Sequence, residues 1–328
     1  MTNVGAEVGE CGASAGTAYG PVAVVERSGL VEGMHFGAVV ALDAQGQVVH
    51  RIGDPDQVIY PRSANKPMQA SGMVRAGLEL PDDELALVGA SHGGEPMHVD
   101  GVRRILARAG LDESALQNTP SLPWHEPSRD AEVRAGRGPT SVCADCSGKH
   151  AGMLVACSVN GWDLSTYLDA DHPLQQALRA ELELTAGEPV AHTGVDGCGA
   201  PVWAISLIGL GRAFAACVTA EPGTPPRRVA DAMRRHPELV GGTDRDVTGF
   251  MTDVPGLLAK DGAEAVYAAA LPDGSAVAVK VSDGGFRASQ VALAAALPRV
   301  GVDPSLVARW ATVPVLGHRR PVGSVHAP

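Results

Sequence analysis

Pro21-Val-Ala-Val-Val-Glu-Arg27 and Phe36-Gly-Ala-Val-Val-Ala-Leu42 open the chain, and Val266-Tyr-Ala-Ala-Ala-Leu271 and Ser275-Ala-Val-Ala-Val-Lys-Val281 answer them near its end. These Val- and Ala-rich runs, bounded by turn residues, read as strands. Asp43-Ala-Gln-Gly46 turns the second into a third strand over 46–52, and Pro272-Asp-Gly274 joins the later pair. Between them the pattern is helical, at 67–77, 82–89, 97–109, 149–159, 173–186, 201–214 and 226–235. Further helices are expected near 288–298 and 303–311, and Arg129 to Pro139 reads as a loop. Strands at both ends around a helical middle predict an α+β fold, with one mainly antiparallel sheet flanked by helices. The expected organisation is a tail over 1–20, a single catalytic domain over 21–312 and a C-terminal tail over 313–328. Roughly residues 67–250 would form the helical subdomain.

Composition narrows the function. With 328 residues the chain can bury a large core without covalent staples. Aromatics are only 4% of residues and the net charge is -11, with arginines scattered rather than massed. That argues against nucleic-acid binding and against an anionic membrane surface. No apolar run approaches a membrane span, and the first twenty residues lack the basic start and apolar segment of a secretory signal. The six cysteines show no framework spacing, so thiols or metal ligands are expected rather than disulfides, in a cytoplasmic protein.

Chemistry concentrates in a few knots. Tyr60-Pro-Arg-Ser-Ala-Asn-Lys-Pro67 carries Ser63 three residues before Lys66, a compact way to make a nucleophile without histidine if the amine can take the hydroxyl proton. Taken alone, the pair also fits a turn entering a helix, with Pro67 at a first helical position and disfavouring the helical region for Lys66. Ser91-His-Gly-Gly-Glu95, Cys146-Ser-Gly-Lys-His150 and Asp196-Gly-Cys-Gly199 are the other knots. Ser91 has a plain alternative as a helix N-cap. Cys143, Cys146 and Cys198 with His150 imitate a zinc site, and spacing alone favours His150 over Lys149 as a ligand, because an amine must lose its proton to ligate. Cys157 and Cys217 lie in apolar helical contexts and read as core.

These segments together resemble the rhizobial-type L-asparaginase family, also called asparaginase II. The resemblance rests on Arg27-Ser-Gly-Leu-Val-Glu32 with His35, Arg62 to Pro67, Ser91 to Glu95, and Cys143-Ala-Asp-Cys-Ser-Gly-Lys-His-Ala-Gly-Met153. It continues through Asp171-His-Pro173, Asp196 to Gly199, Met233-Arg-Arg-His-Pro237, Lys260-Asp-Gly-Ala-Glu264 and Lys280-Val-Ser-Asp-Gly284. It implies a fold like serine β-lactamases and glutaminases, a homodimer, and hydrolysis of L-asparagine to L-aspartate and ammonia. It also implies two serine–lysine tandems, Ser63 with Lys66 and Ser91 with Lys260, and a Zn2+ ion held by Cys146, Lys149 and Cys198. That ligand set reverses the preference for His150 and suggests a metal that tunes affinity. An amino-acid substrate would need Arg62 for its carboxylate and Asp196 for its ammonium. Two lysines at one site would depress each other's pKa, leaving one neutral and basic. The chain departs from the family at Asp145, where asparagine is usual, and at Gly94, where serine is frequent. Both departures bear on hydrogen bonding near the site.

Two other readings compete. A penicillin-recognising hydrolase also starts from Ser-x-x-Lys, but its Ser-Asp-Asn and Lys-Thr-Gly companions are missing; Ser282-Asp-Gly284 and Lys280-Val-Ser282 are poor substitutes. A zinc-stabilised binding module would keep its function after Ser63→Ala and unfold on chelation.

Overall fold

The computed structural model describes residues 18–328. The tail expected over 1–20 lies outside them except for its last three residues. Strands β1 (Gly20–Arg27), β2 (Leu30–Leu42) and β3 (Val48–Ile52) form where the Val-rich runs place them, followed by the short β4 (Val58–Ile59). A 3-10 turn over Arg62–Asn65 leads into helix α1 (Lys66–Arg75), then α2 (Asp82–Val88), α3 (Pro96–Ala107), α4 (Glu126–Arg134), α5 (Ser147–Asn160) and α6 (Pro173–Ala186). Strands β5 (His192–Val195) and β6 (Pro201–Ser206) precede α7 (Leu207–Thr219), α8 (Pro225–Arg235), α9 (Pro237–Val240) and α10 (Asp246–Asp253). The chain then returns as β7 (Leu258–Gly262), β8 (Val266–Ala270) and β9 (Ala276–Val281), α11 (Phe286–Ala296), α12 (Pro304–Val307), β10 (Thr312–Gly317) and β11 (Arg320–His326).

The α+β expectation is met. The main sheet has eight strands in the order β10-β11-β1-β2-β9-β8-β7, with β3 also paired to β2 and every pairing antiparallel. Its centre joins the two chain ends directly, with Val39 opposite Val279 and Val25 opposite Val325. Helices α7 and α11 pack on this sheet, and the helical middle packs through α1, which is buried from Lys66 to Val74. A helix buried on all sides belongs to a core. The resulting interior is almost wholly aliphatic, as the residue content requires.

Four expectations need correction. Residues 313–328 are not a tail: β10 and β11 extend the main sheet, with β11 paired to β1. Pro314 hid this, since proline is confined to edge strands and β10 is the sheet's edge. Residues 201–206 are a strand rather than the start of a helix, because β6 is buried at every position and so shows no alternation to separate it from α7. The 129–139 loop is largely α4, which buries no residue and therefore lacks an apolar stripe; Arg129–Glu126 and Arg134–Asp130 pairs lace its surface. Residues 303–311 hold only the short α12 and a 3-10 turn.

Candidate active site

Ser63 sits on the 3-10 turn and Lys66 is the first residue of α1. Lys66 is helical despite the following proline, its N–H donating to the Ser63 carbonyl. Arg62, just before the serine, has φ of 51°, a left-handed conformation uncommon for a side chain of this size. Such strain persists only where neighbours enforce it. Here the neighbour is β7: a Cβ on Gly262 would lie 2.6 Å from the Pro61 carbonyl oxygen and 2.9 Å from the Ala64 nitrogen. Only glycine lets this strand press against the turn that presents Ser63.

Ser91 follows α2. Its N–H donates to the Val240 carbonyl, and His92 N–H donates to the Asp145 carbonyl, tying the segment to two other parts of the chain. Ser91 is not an N-cap. That role falls to Glu95, which forms a reciprocal capping box with His98. The Ser91 hydroxyl instead accepts from Lys66 Nζ at 2.9 Å, while the same amine donates to the Ala90 carbonyl at 2.6 Å. Asp145 brings a carboxylate oxygen to 3.7 Å from Lys66 Nζ, so this departure from the family pattern is a charge at the site. At the other departure, Gly94 has φ of 73° and a Cβ there would meet the Cys143 carbonyl oxygen at 2.9 Å. A serine at this position would be strained in this backbone.

Lys260 projects from β7 and is fully buried. Its Nζ donates to the Asp261 carboxylate at 2.6 Å and to the Asp261 carbonyl at 2.7 Å. The other oxygen of that carboxylate accepts from Arg245 Nη2 at 2.6 Å, so Asp261 bridges a lysine and an arginine. Burial pushes the Lys260 amine down to about 8, helped by the Lys66 and Arg245 charges and opposed by Asp261. Burial would raise the Asp261 carboxyl, but its two cationic partners hold it well below the ordinary carboxylate range. The hydrogen bonds therefore pair Lys66 with Ser91, and Lys260 with Asp261.

A cavity of about 130 Å3 gathers most of the residues singled out in the sequence: Arg62, Ser63, Lys66, Ser91, Lys149, Asp196 and Cys198 all line it. This is well below the roughly 300–1,000 Å3 of drug-sized sites. A small polar molecule fits the scale. Arg62 Nε donates to Asp196 Oδ1 at 2.7 Å, so a guanidinium and a carboxylate stand together on the cavity wall, suited to the two charges of an amino-acid zwitterion. Lys260 does not line the cavity, but its partner Asp261 does. The wall also includes Asp145, Trp124 and Phe286, none of which the sequence reading placed as site residues. Both aromatics are about half exposed, 49% for Trp124 and 50% for Phe286, and no local sequence pattern marks either of them.

Beside this cavity, Cys146, His150 and Cys198 each offer a ligand atom within 4.8 Å of the others. Lys149 Nζ lies 3.3 Å from Cys198 Sγ. His150 Nδ1 engages the Tyr167 hydroxyl at 2.8 Å, while its Nε2 is buried with no hydrogen-bond partner among the described residues. An orphaned imidazole nitrogen facing two thiols is a donor set that suits zinc. The contact with Cys146 and the positive charge of Lys149 outweigh burial and hold the Cys198 thiol far below its usual range. Burial pushes the Lys149 amine down, yet Cys198, Cys146 and Asp196 more than offset it and its pKa is raised. Ligation by Lys149 would require that proton to leave as metal binds. Both alternatives read from the sequence, His150 and Lys149, thus stand at the same cluster. Cys157 and Cys217 are core, as expected, their thiols pushed up by burial to about 12.

The L-asparaginase II family model matches residues 23–327. The chain belongs to the L-asparaginase II family. It is accordingly an amidohydrolase of the asparaginase type acting on a small amide. No curated protein matches the chain in sequence. Among solved structures, Mglu in its native form is 17% identical over 79% of this chain and 62% of its own, with a TM-score of 0.41. A beta-lactamase from Mycobacterium bovis is 16% identical over 80% of this chain and 95% of its own, at a TM-score of 0.42. Bacillus glutaminase in the presence of 4.3 M NaCl is 12% identical over 80% of this chain and 90% of its own, at 0.35. No helix among the described residues is long and apolar enough to cross a membrane.

Proposed function

We propose that this member of the family hydrolyses the side-chain amide of L-asparagine to L-aspartate and ammonia by a serine–lysine route. The observation that carries the reading is the hydrogen bond from buried Lys66 Nζ to Ser91 Oγ, in a cavity also lined by Ser63 and by the Arg62–Asp196 pair. Arg62 takes the substrate carboxylate and Asp196 its ammonium, which aims the amide at the serines. Ser63 Oγ attacks the amide carbon and its proton passes to a lysine amine, with Ser91 as relay. The same proton is returned to the departing nitrogen, which leaves as ammonia. Water then cleaves the aspartyl ester. Lys260, with its amine poised near 8 by burial, is the second base of the arrangement.

A Zn2+ ion, bound through Cys146 and Cys198 with Lys149 and His150 adjacent, would fix the wall that Lys149 and Cys198 give to the substrate cavity. This makes the metal a modulator of affinity. The protein acts as a homodimer in the cytoplasm, where its thiols stay reduced. An ammonia-release assay on L-asparagine and L-glutamine tests the reading: L-asparagine is hydrolysed and L-glutamine disfavoured, because the small cavity leaves little room for an added methylene. Failure to release ammonia from L-asparagine would overturn it.

A further inference from the structure

A second, larger space adjoins the substrate cavity. It measures about 390 Å3 and shares Trp124, Asp261 and Phe286 with the 130 Å3 cavity, so these side chains border both. Arg62 and Asp196, the groups assigned to the substrate's α-carboxylate and ammonium, line the small cavity alone, so the chamber does not adjoin them.

The chamber's chemistry is defined by aromatics and arginines. Trp124 and Phe286 are about half exposed, leaving apolar faces for a ligand. Asp246 and Asp261 also line it, but Arg245 accounts for both, at 4.0 Å and 2.6 Å. Arg245 lies over the Trp124 ring at 5.1 Å and keeps Nη1 buried with no hydrogen-bond partner among the described residues. Two further arginines line the space. Arg129 reaches only Glu126, at 3.9 Å, and Arg287 makes no ion pair or side-chain hydrogen bond among the described residues. The balance is a cationic chamber with aromatic walls.

We propose that this chamber is a leaving-group site, and that the enzyme also hydrolyses β-aspartyl dipeptides, in which the side-chain amide nitrogen carries a second amino acid. This rests on the reading of the small cavity as the aspartyl site. The aspartyl half occupies that cavity as L-asparagine does. The second residue lies in the chamber, its side chain on Trp124 and Phe286 and its carboxylate on Arg129 and Arg287. The chemistry is otherwise unchanged: a serine-oxygen-to-carbon bond forms, the carbon–nitrogen bond breaks, and the lysine-held proton goes to the leaving amine. Water then releases aspartate, and the co-product is a free amino acid in place of ammonia.

The test measures phenylalanine release from β-aspartyl-phenylalanine and ammonia release from L-asparagine with the same preparation. The wild type is expected to cleave both. The double variant Arg129→Ala/Arg287→Ala should raise KM for the dipeptide at least about tenfold, the scale of a lost charged contact, and leave KM for L-asparagine within about twofold. Arg287 is exposed and Arg129 half-buried on a helix that buries no residue, so a folded variant is expected and circular dichroism checks it. Turnover of L-asparagine with no cleavage of the dipeptide would overturn the leaving-group site while leaving the proposed function intact. Equal losses for both substrates in the double variant would overturn it as well. Cleavage of the dipeptide without turnover of L-asparagine would support the chamber and overturn the proposed function.

Discussion

Lys66 Nζ and Ser91 Oγ, from residues 25 apart in the chain, meet at 2.9 Å. Local spacing would join Lys66 to Ser63, three residues away, yet the hydrogen bond runs to the distant hydroxyl. Ser63 is presented instead by the strained turn at Arg62, on the wall of the same cavity. The two serines thus have separable roles, one held by an amine and one exposed by a turn.

Ser63→Ala and Lys66→Ala should each lower kcat on L-asparagine by at least about a thousandfold, the scale of losing a nucleophile or its base. Ser91→Ala should cost about a hundredfold or more, as expected for a proton relay. All three should keep the wild-type circular dichroism spectrum. A Ser63→Ala enzyme within tenfold of wild type would move the nucleophile to Ser91.

The residues of the cavity were largely legible in the sequence, because turn chemistry and rare residue types mark them: Ser63, Lys66, Ser91, Asp196 and Cys198 all sit in glycine- or proline-flanked knots. Lys260 was legible only through the family resemblance. Its strand reads Leu258-Ala-Lys-Asp-Gly262, where two adjacent charges break every apolar pattern although all five positions are buried. The strand forms because those charges satisfy one another and Arg245, a contact 16 residues away that no local pattern encodes. The same limit applies to Trp124 and Phe286, which reach one cavity from distant segments.

The pH dependence follows from Lys260. Burial sets its amine to about 8, so the base form grows as pH rises through that value and activity should climb to an alkaline plateau. Asp261 is the charge that opposes this depression. Asp261→Asn should therefore move the limb of the kcat/KM profile to lower pH, with the fitted value belonging to the coupled lysines as a pair. A limb that stayed in place or moved to higher pH would remove Lys260 from the mechanism.

One metal ion per chain is expected at the Cys146–Cys198 cluster. Elemental analysis after incubation with zinc and exhaustive dialysis should find it, and Cys198→Ser should lose it. The same variant should raise KM more than it lowers kcat, the pattern of lost uniform binding. Zinc-incubated protein free of metal would refute the site.

Gly262→Ala puts a methyl group 2.6 Å from the Pro61 carbonyl oxygen, against backbone that carries Ser63. The strand or the turn must shift, at a cost of about 1–3 kcal/mol. A lowered Tm together with a kcat loss exceeding about tenfold is expected, since a misplaced nucleophile costs rate as well as stability. Unchanged Tm and kcat would show that the turn tolerates a looser fit.

A covalent serine route passes through an aspartyl ester, which can be trapped. Wild-type protein is quenched in acid during turnover of L-asparagine, digested and examined by mass spectrometry. One aspartyl group is expected on the peptide containing Ser63, absent from Ser63→Ala. An aspartyl adduct on Ser91, or full turnover by Ser63→Ala with no adduct on any serine, would contradict it.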